Sequence, residues 1–107
     1  MGTTQVNQKV FVANFAELPP RIGREIVVEG LKIAVFRLSD DRIKAIGGVC
    51  PHKQGPLAEG IVAGEYVFCP LHEYKVSLID GKVQEPDNGC VATYDTLVEE
   101  DKVYVLV

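Results

Sequence analysis

The sequence predicts an all-β domain, an antiparallel sandwich or small barrel, on three observations. Short runs rich in β-branched and apolar residues recur along the chain. Gly, Pro, Asn and Asp punctuate these runs as turns. No apolar pattern of helical period runs long enough to name a helix. At 107 residues the chain holds one domain, residues 1–107, because a second core does not fit in that length.

Residues 9–13 alternate as a first strand. Residues 14–20 contain Glu17-Leu18-Pro19-Pro20 and read as a turn, or one helical turn, before a proline stop. Residues 24–29 and 31–38 are two strands, with Gly30 as the hairpin turn between them. Asp40-Asp41 turns the chain into a strand over 42–46. Tyr66–Phe68 and residues 75–79 follow as strands, and Asp80-Gly81, a strong hairpin signal, leads into another at 82–84. Residues 93–98 and 103–107 form a last hairpin around Glu99-Glu100-Asp101-Lys102. The stretch 47–64 breaks this rhythm. It is dense in Gly and Pro, and loops on a rigid β scaffold are where binding chemistry sits.

Composition excludes some classes. With 47% hydrophobic and 24% charged residues, the chain can build a core without disulfides. A net charge of −4 argues against a nucleic-acid binder, which presents a basic stripe. No apolar run approaches the roughly 18 residues that span a bilayer. The polar opening lacks the apolar stretch of a secretory signal, and Val6 sits where a myristoylation site wants Ser or Thr. Three cysteines leave at least one outside any disulfide, a usage that fits a reducing compartment. The expectation is a cytoplasmic protein with neither membrane nor nucleic acid as partner.

The chemistry lies in Cys50-Pro51-His52, followed after sixteen residues by Cys69-Pro70-Leu71-His72. His52 and His72 are the only histidines of the chain. Two short Cys/His pairs that use every histidine point to a metal centre, with Cys50, His52, Cys69 and His72 as its ligands. Tetrahedral zinc accepts the same four groups, and a structural zinc module is the competing reading. Zinc motifs, however, pair Cys with Cys and His with His, whereas each loop here offers one of each. In a Rieske centre one iron takes two Cys and the other two His. Two facing loops, each giving one ligand to each iron, match this spacing and imply one [2Fe–2S] cluster. Two ferric ions, two sulfides and two thiolates sum to zero charge, so an electron enters more easily than in a four-cysteine cluster. Pro51 and Pro70 stiffen the loops, while Gly55-Pro56 and Gly60 let backbone approach closely.

The string Cys-Pro-His-Lys-x-Gly-Pro-Leu, followed by Cys-Pro-Leu-His, resembles the Rieske domain superfamily over most of the chain, from Phe11 to Val107. That resemblance implies a Rieske-type antiparallel β-sandwich or barrel with a small cluster-binding subdomain of two loops at about residues 47–86. Within the superfamily the chain is most similar to the small subunit of assimilatory NAD(P)H-dependent nitrite reductase. The likeness rests on Gly55-Pro56-Leu57-Ala58-Glu59-Gly60, Val67-Phe68-Cys69-Pro70-Leu71-His72 and Gly81-Lys82-Val83-Gln84-Glu85-Pro86-Asp87. It implies an oxidoreductase subunit that carries electrons for a large partner bearing flavin and sirohaem, which reduces nitrite to ammonium. The chain has no Gly-x-Gly-x-x-Gly, so NAD(P)H chemistry belongs to that partner.

Other branches differ informatively. Quinol-oxidising Rieske proteins carry a loop-locking disulfide at the positions of Gly55 and Leu71, and sulfur-bonding hydroxyls at those of Tyr74 and Val76. Their loss predicts a potential in the lower part of the Rieske range of about −150 to +300 mV. The alternative role is a Rieske ferredoxin of an aromatic ring-hydroxylating dioxygenase. Such ferredoxins commonly follow the second histidine with Gly, where this chain has Glu73-Tyr74. Lys53, Glu73 and Tyr74 are candidates for partner docking at the cluster rim. Cys90, after the turn Asp87-Asn88-Gly89, reads as a small, partly buried apolar residue.

Overall fold

The computed structural model describes residues 9–49, 55–70, 74–85 and 89–107. Nine strands run through them: β1 Lys9–Asn14, β2 Arg24–Val28, β3 Leu31–Arg37, β4 Ile43–Gly47, β5 Ile61–Ala63, β6 Tyr66–Phe68, β7 Lys75–Ser77, β8 Thr93–Glu99 and β9 Lys102–Leu106. Two 3₁₀ turns, Phe15–Glu17 and Leu57–Glu59, complete the described elements. The all-β expectation holds. A six-stranded sheet has the order β1-β9-β8-β4-β3-β2, and a three-stranded sheet the order β5-β6-β7. Every pairing between strands is antiparallel.

Hairpin turns set the register. Val28 pairs with Leu31 across Glu29 (φ 51°) and Gly30 (φ 82°), a two-residue turn whose left-handed dihedrals match the strand twist. Glu99 and Lys102 pair across Glu100 (φ 51°) and Asp101 (φ 67°) in the same way, without a glycine.

Strand β3 organises the interior. Ile33, Ala34, Val35 and Phe36 are all 0% exposed, so this strand is covered on both faces. Alternation sends Ile33 and Val35 into one core with Ala13, Ile43, Ala45, Val103 and Val105. It sends Ala34 and Phe36 into a second core with Ile46, Leu57, Val67, Val76 and Leu78. This corrects the expectation that the length leaves room for one core only: both cores share β3. The six-stranded sheet curls around the first core, and the three-stranded sheet closes over the second. Arg37 fastens the curl: its Nη1 donates to the Leu18 carbonyl at 2.9 Å and its guanidinium lies 4.1 Å from the Phe15 ring centre.

Three elements depart from the expectation. Strand β5 lies inside the stretch read as loop. It is three residues long, held between Gly60 and a Gly64 turn (φ 60°), too short for a visible period. The strand read at 75–79 ends at Ser77, because the Ser77 hydroxyl accepts the N–H groups of Ile79 (3.1 Å) and Asp80 (3.3 Å) and bends the chain. Residues 82–84 form no strand. The chain does turn back at Asp80-Gly81, with Ser77 N–H donating to Lys82 O at 2.9 Å and Gln84 N–H to Lys75 O at 2.8 Å. The pairing is nevertheless limited to isolated bridges, Val76 with Val83 and Lys82 with Cys90.

Candidate metal centre

Of the four expected ligands, Cys69 is among the described residues; Cys50, His52 and His72 lie outside them, as do Pro51, Lys53, Leu71 and Glu73. Cys69 follows directly on β6 and is 1% exposed, its side chain part of the second core. Its N–H donates to the Tyr74 carbonyl at 2.8 Å, which closes the chain between 69 and 74 at its base. Tyr74 is half-buried and packs on the same core.

The other Cys/His segment also leaves from a closed base. Gly48 N–H donates to Lys32 O at 2.9 Å, fixing the exit of β4 against β3. Val49 then forms a bridge with Pro56, and Leu57 N–H returns to Gly48 O at 3.0 Å. Leu57, 0% exposed, plugs this base into the second core. Both loop bases therefore rest on one apolar cluster, which contains Cys69 and Leu57 together.

Beside Cys69 a groove of about 440 Å³ is lined by Glu59, Gly60, Ile61, Phe68 and Pro70. Ile61 at its edge is 73% exposed. Lys75, which sequence reading passed over as an ordinary strand position, pairs with Phe68 across β6 and β7. Its Nζ stands 4.4 Å from the Tyr66 ring centre and 6.0 Å from that of Phe68. Cys90 corrects an expectation: it is exposed, because its bridge with the exposed Lys82 turns both side chains outward. In the turn after β7, the Lys82 backbone N–H donates to the Asp80 carboxylate at 3.0 Å and holds its pKa below the ordinary value of 3.8. Among the described residues no group of three or more His, Cys, Asp or Glu is placed to hold a metal, and no helix is long and apolar enough to cross a membrane.

Cys69 fits an iron–sulfur centre on chemical grounds. A thiolate is a soft ligand suited to iron–sulfur clusters, and here it sits at a water-excluded strand end with its backbone fixed by hydrogen bonding.

The model of the Rieske-like [2Fe–2S] domain family matches residues 8–106. The structure superposes with a TM-score of 0.90 on a protein of Mycobacterium tuberculosis assigned as the NADH-dependent nitrite reductase small subunit, at 24% identity, covering 96% of this chain and 97% of that one. The ferredoxin of carbazole 1,9a-dioxygenase from Nocardioides aromaticivorans gives a TM-score of 0.84 at 28% identity, covering 92% and 96%. A protein assigned as an NADPH nitrite reductase small subunit gives 0.81 at 28% identity, covering 94% and 99%. The chain spans only 12 to 16% of the length of the monooxygenases it first matches in sequence.

Proposed function

The chain belongs to the Rieske-like [2Fe–2S] domain family, and from that premise we propose that it carries single electrons as the small subunit of a nitrite reductase. Its cofactor is a Rieske-type [2Fe–2S] cluster. Cys50 and Cys69 would hold one iron, and His52 and His72 the other. When bound, the cluster supplies one-electron redox chemistry. Cys69 keeps its thiolate sulfur in the water-excluded core, and the Cys69–Tyr74 backbone bond holds the loop base still. The observation that carries the electron-transfer reading is this buried cysteine at the base of a Cys/His loop, in a domain of this family. Iron and acid-labile sulfide analysis, with EPR of the dithionite-reduced protein prepared without air, tests it. Two irons, two sulfides and a signal of low average g are expected. Stoichiometric zinc without sulfide, even after anaerobic reconstitution, overturns it.

The nitrite reductase assignment rests on the residue strings around the two loops and on a 28% identical neighbour assigned that role. It predicts a larger flavin- and sirohaem-bearing partner in the cytoplasm. A carbazole dioxygenase ferredoxin of equal identity supports the second reading, a carrier for a ring-hydroxylating oxygenase. Glu73-Tyr74 after the second histidine favours the first. Co-purification separates them: the first expects a nitrite-reducing partner whose NAD(P)H-driven turnover rises when this chain is added, the second an oxygenase.

A further inference from the structure

Gly60 stands where the two loop bases are braced against each other. Its N–H donates to Leu57 O at 3.0 Å, capping the 3₁₀ turn Leu57–Glu59, and that turn is fastened to the first loop base through Leu57 N–H and Gly48 O. On its other side it leads into β5, whose Ile61 pairs with Phe68, the residue before Cys69. Its backbone (φ −78°, ψ 172°) is open to any L-residue, so space and not conformation demands glycine. A Cβ at position 60 would lie 2.3 Å from the Phe68 carbonyl oxygen, 2.9 Å from Val67 Cγ2 and 3.2 Å from the Leu57 carbonyl oxygen. The Phe68 carbonyl belongs to the same peptide as the Cys69 N–H, which bonds Tyr74. The turn is also packed closely on Gly23, where a Cβ would meet Ala58 O at 2.4 Å and Ala58 Cα at 2.9 Å.

We propose that Gly60 is a positioning residue that sets the separation of the two ligand loops and thereby the geometry in which the cluster is held. The proposal rests on the ligand reading above. A side chain at 60 meets backbone, which no rotamer change relieves, so the 68–69 peptide must move away from the 57–59 turn. That displacement carries Cys69 relative to Gly48 and Leu57 at the base of the other Cys/His segment.

Gly60→Ala tests this beside Gly64→Ala, both prepared without air. Gly64 has φ +60° and nothing within 4 Å of where a Cβ would stand, so its substitution strains the backbone without altering any spacing. Gly60→Ala is expected to shift both the midpoint potential and the g-values of the reduced protein. Gly64→Ala is expected to lower the melting temperature and leave both unchanged. Ala58→Gly adds no atom and loosens the same turn, so it carries the test if Gly60→Ala does not fold; a shifted or broadened signal is expected. A folded Gly60→Ala, or failing that Ala58→Gly, with the wild-type potential and g-values overturns the proposal, whatever its melting temperature. A wild-type protein that yields zinc and no sulfide overturns the ligand reading and this proposal with it; an unshifted variant beside a normal wild-type signal overturns the proposal alone.

Discussion

Cys69 and Cys90 are opposite cases of one residue type. Cys69 is 1% exposed and belongs to the core, whereas Cys90 is exposed. Cys90→Ser is therefore expected to change stability by less than about 0.5 kcal/mol. Iron content should stay the same, and urea unfolding with an iron assay checks both. Sequence could not tell which way Cys90 points, since the turn before it fits either face and a single bridge to Lys82 decides. Cys69 was legible as a ligand candidate from its spacing to His72, but its burial was not. Gly23 was missed altogether. A Cβ there would stand 2.4 Å from Ala58 O and 2.7 Å from the Phe36 ring, and these neighbours are remote in sequence. Overpacking of this kind costs about 1–3 kcal/mol, the loss expected for Gly23→Ala in urea unfolding.

Among the elements, the hairpins read most easily, because turn residues and alternating runs are local signals. The Glu29-Gly30 turn fell where Gly30 announced it. The Glu100-Asp101 turn holds two left-handed residues that carry side chains (φ 51° and 67°), a conformation that favours glycine. Asp101→Gly is expected to stabilise the protein by up to about 1 kcal/mol, seen as a melting temperature a few degrees higher. The turn after β7 carries a pH dependence. The Lys82 N–H, followed by a smaller contribution from the Ser77 hydroxyl, lowers the Asp80 pKa below 3.8 in the folded chain. The unfolded chain thus binds more protons in that range. The contribution of Asp80 is complete above its unfolded value and is lost as pH falls through the lower folded one. Between about pH 5 and about pH 3 the melting temperature of Asp80→Asn should fall less than that of the wild type. Parallel curves would rule the contribution out. Strand β6 was read with its bounds Tyr66–Phe68 and β7 from its first residue, but β5, three residues inside a Gly- and Pro-rich stretch, was not. The pairing of the three into a separate sheet is a long-range fact that no local signal carries.

On the scale of the whole molecule, the two cores decide what the cluster does for stability. They share β3, whose four central residues are 0% exposed, and they draw side chains from β1, β4, β6, β7 and β9. The β class was legible because short β-branched and apolar runs recur between turn residues; the double burial of β3 was not, because an unbroken apolar run has no visible face. Of the described side chains in these cores, Cys69 alone is a proposed ligand, while Leu57 and Cys69 bring both loop bases onto the second core. Apolar burial on this pattern holds the sheets together without the metal. Removing iron with a chelator under reducing conditions is therefore expected to leave the far-UV circular dichroism of the β fold in place. The melting temperature should drop, since a ligand that binds only the native state stabilises it by mass action. Amide hydrogen exchange should quicken at Cys69 and Leu57, whose N–H groups close the loop bases, and stay slow at Val35, Phe36, Val103 and Val105. Collapse of the β signal on iron removal would instead make the cluster a condition of folding, as structural zinc is in small metal domains, and the two cores insufficient on their own.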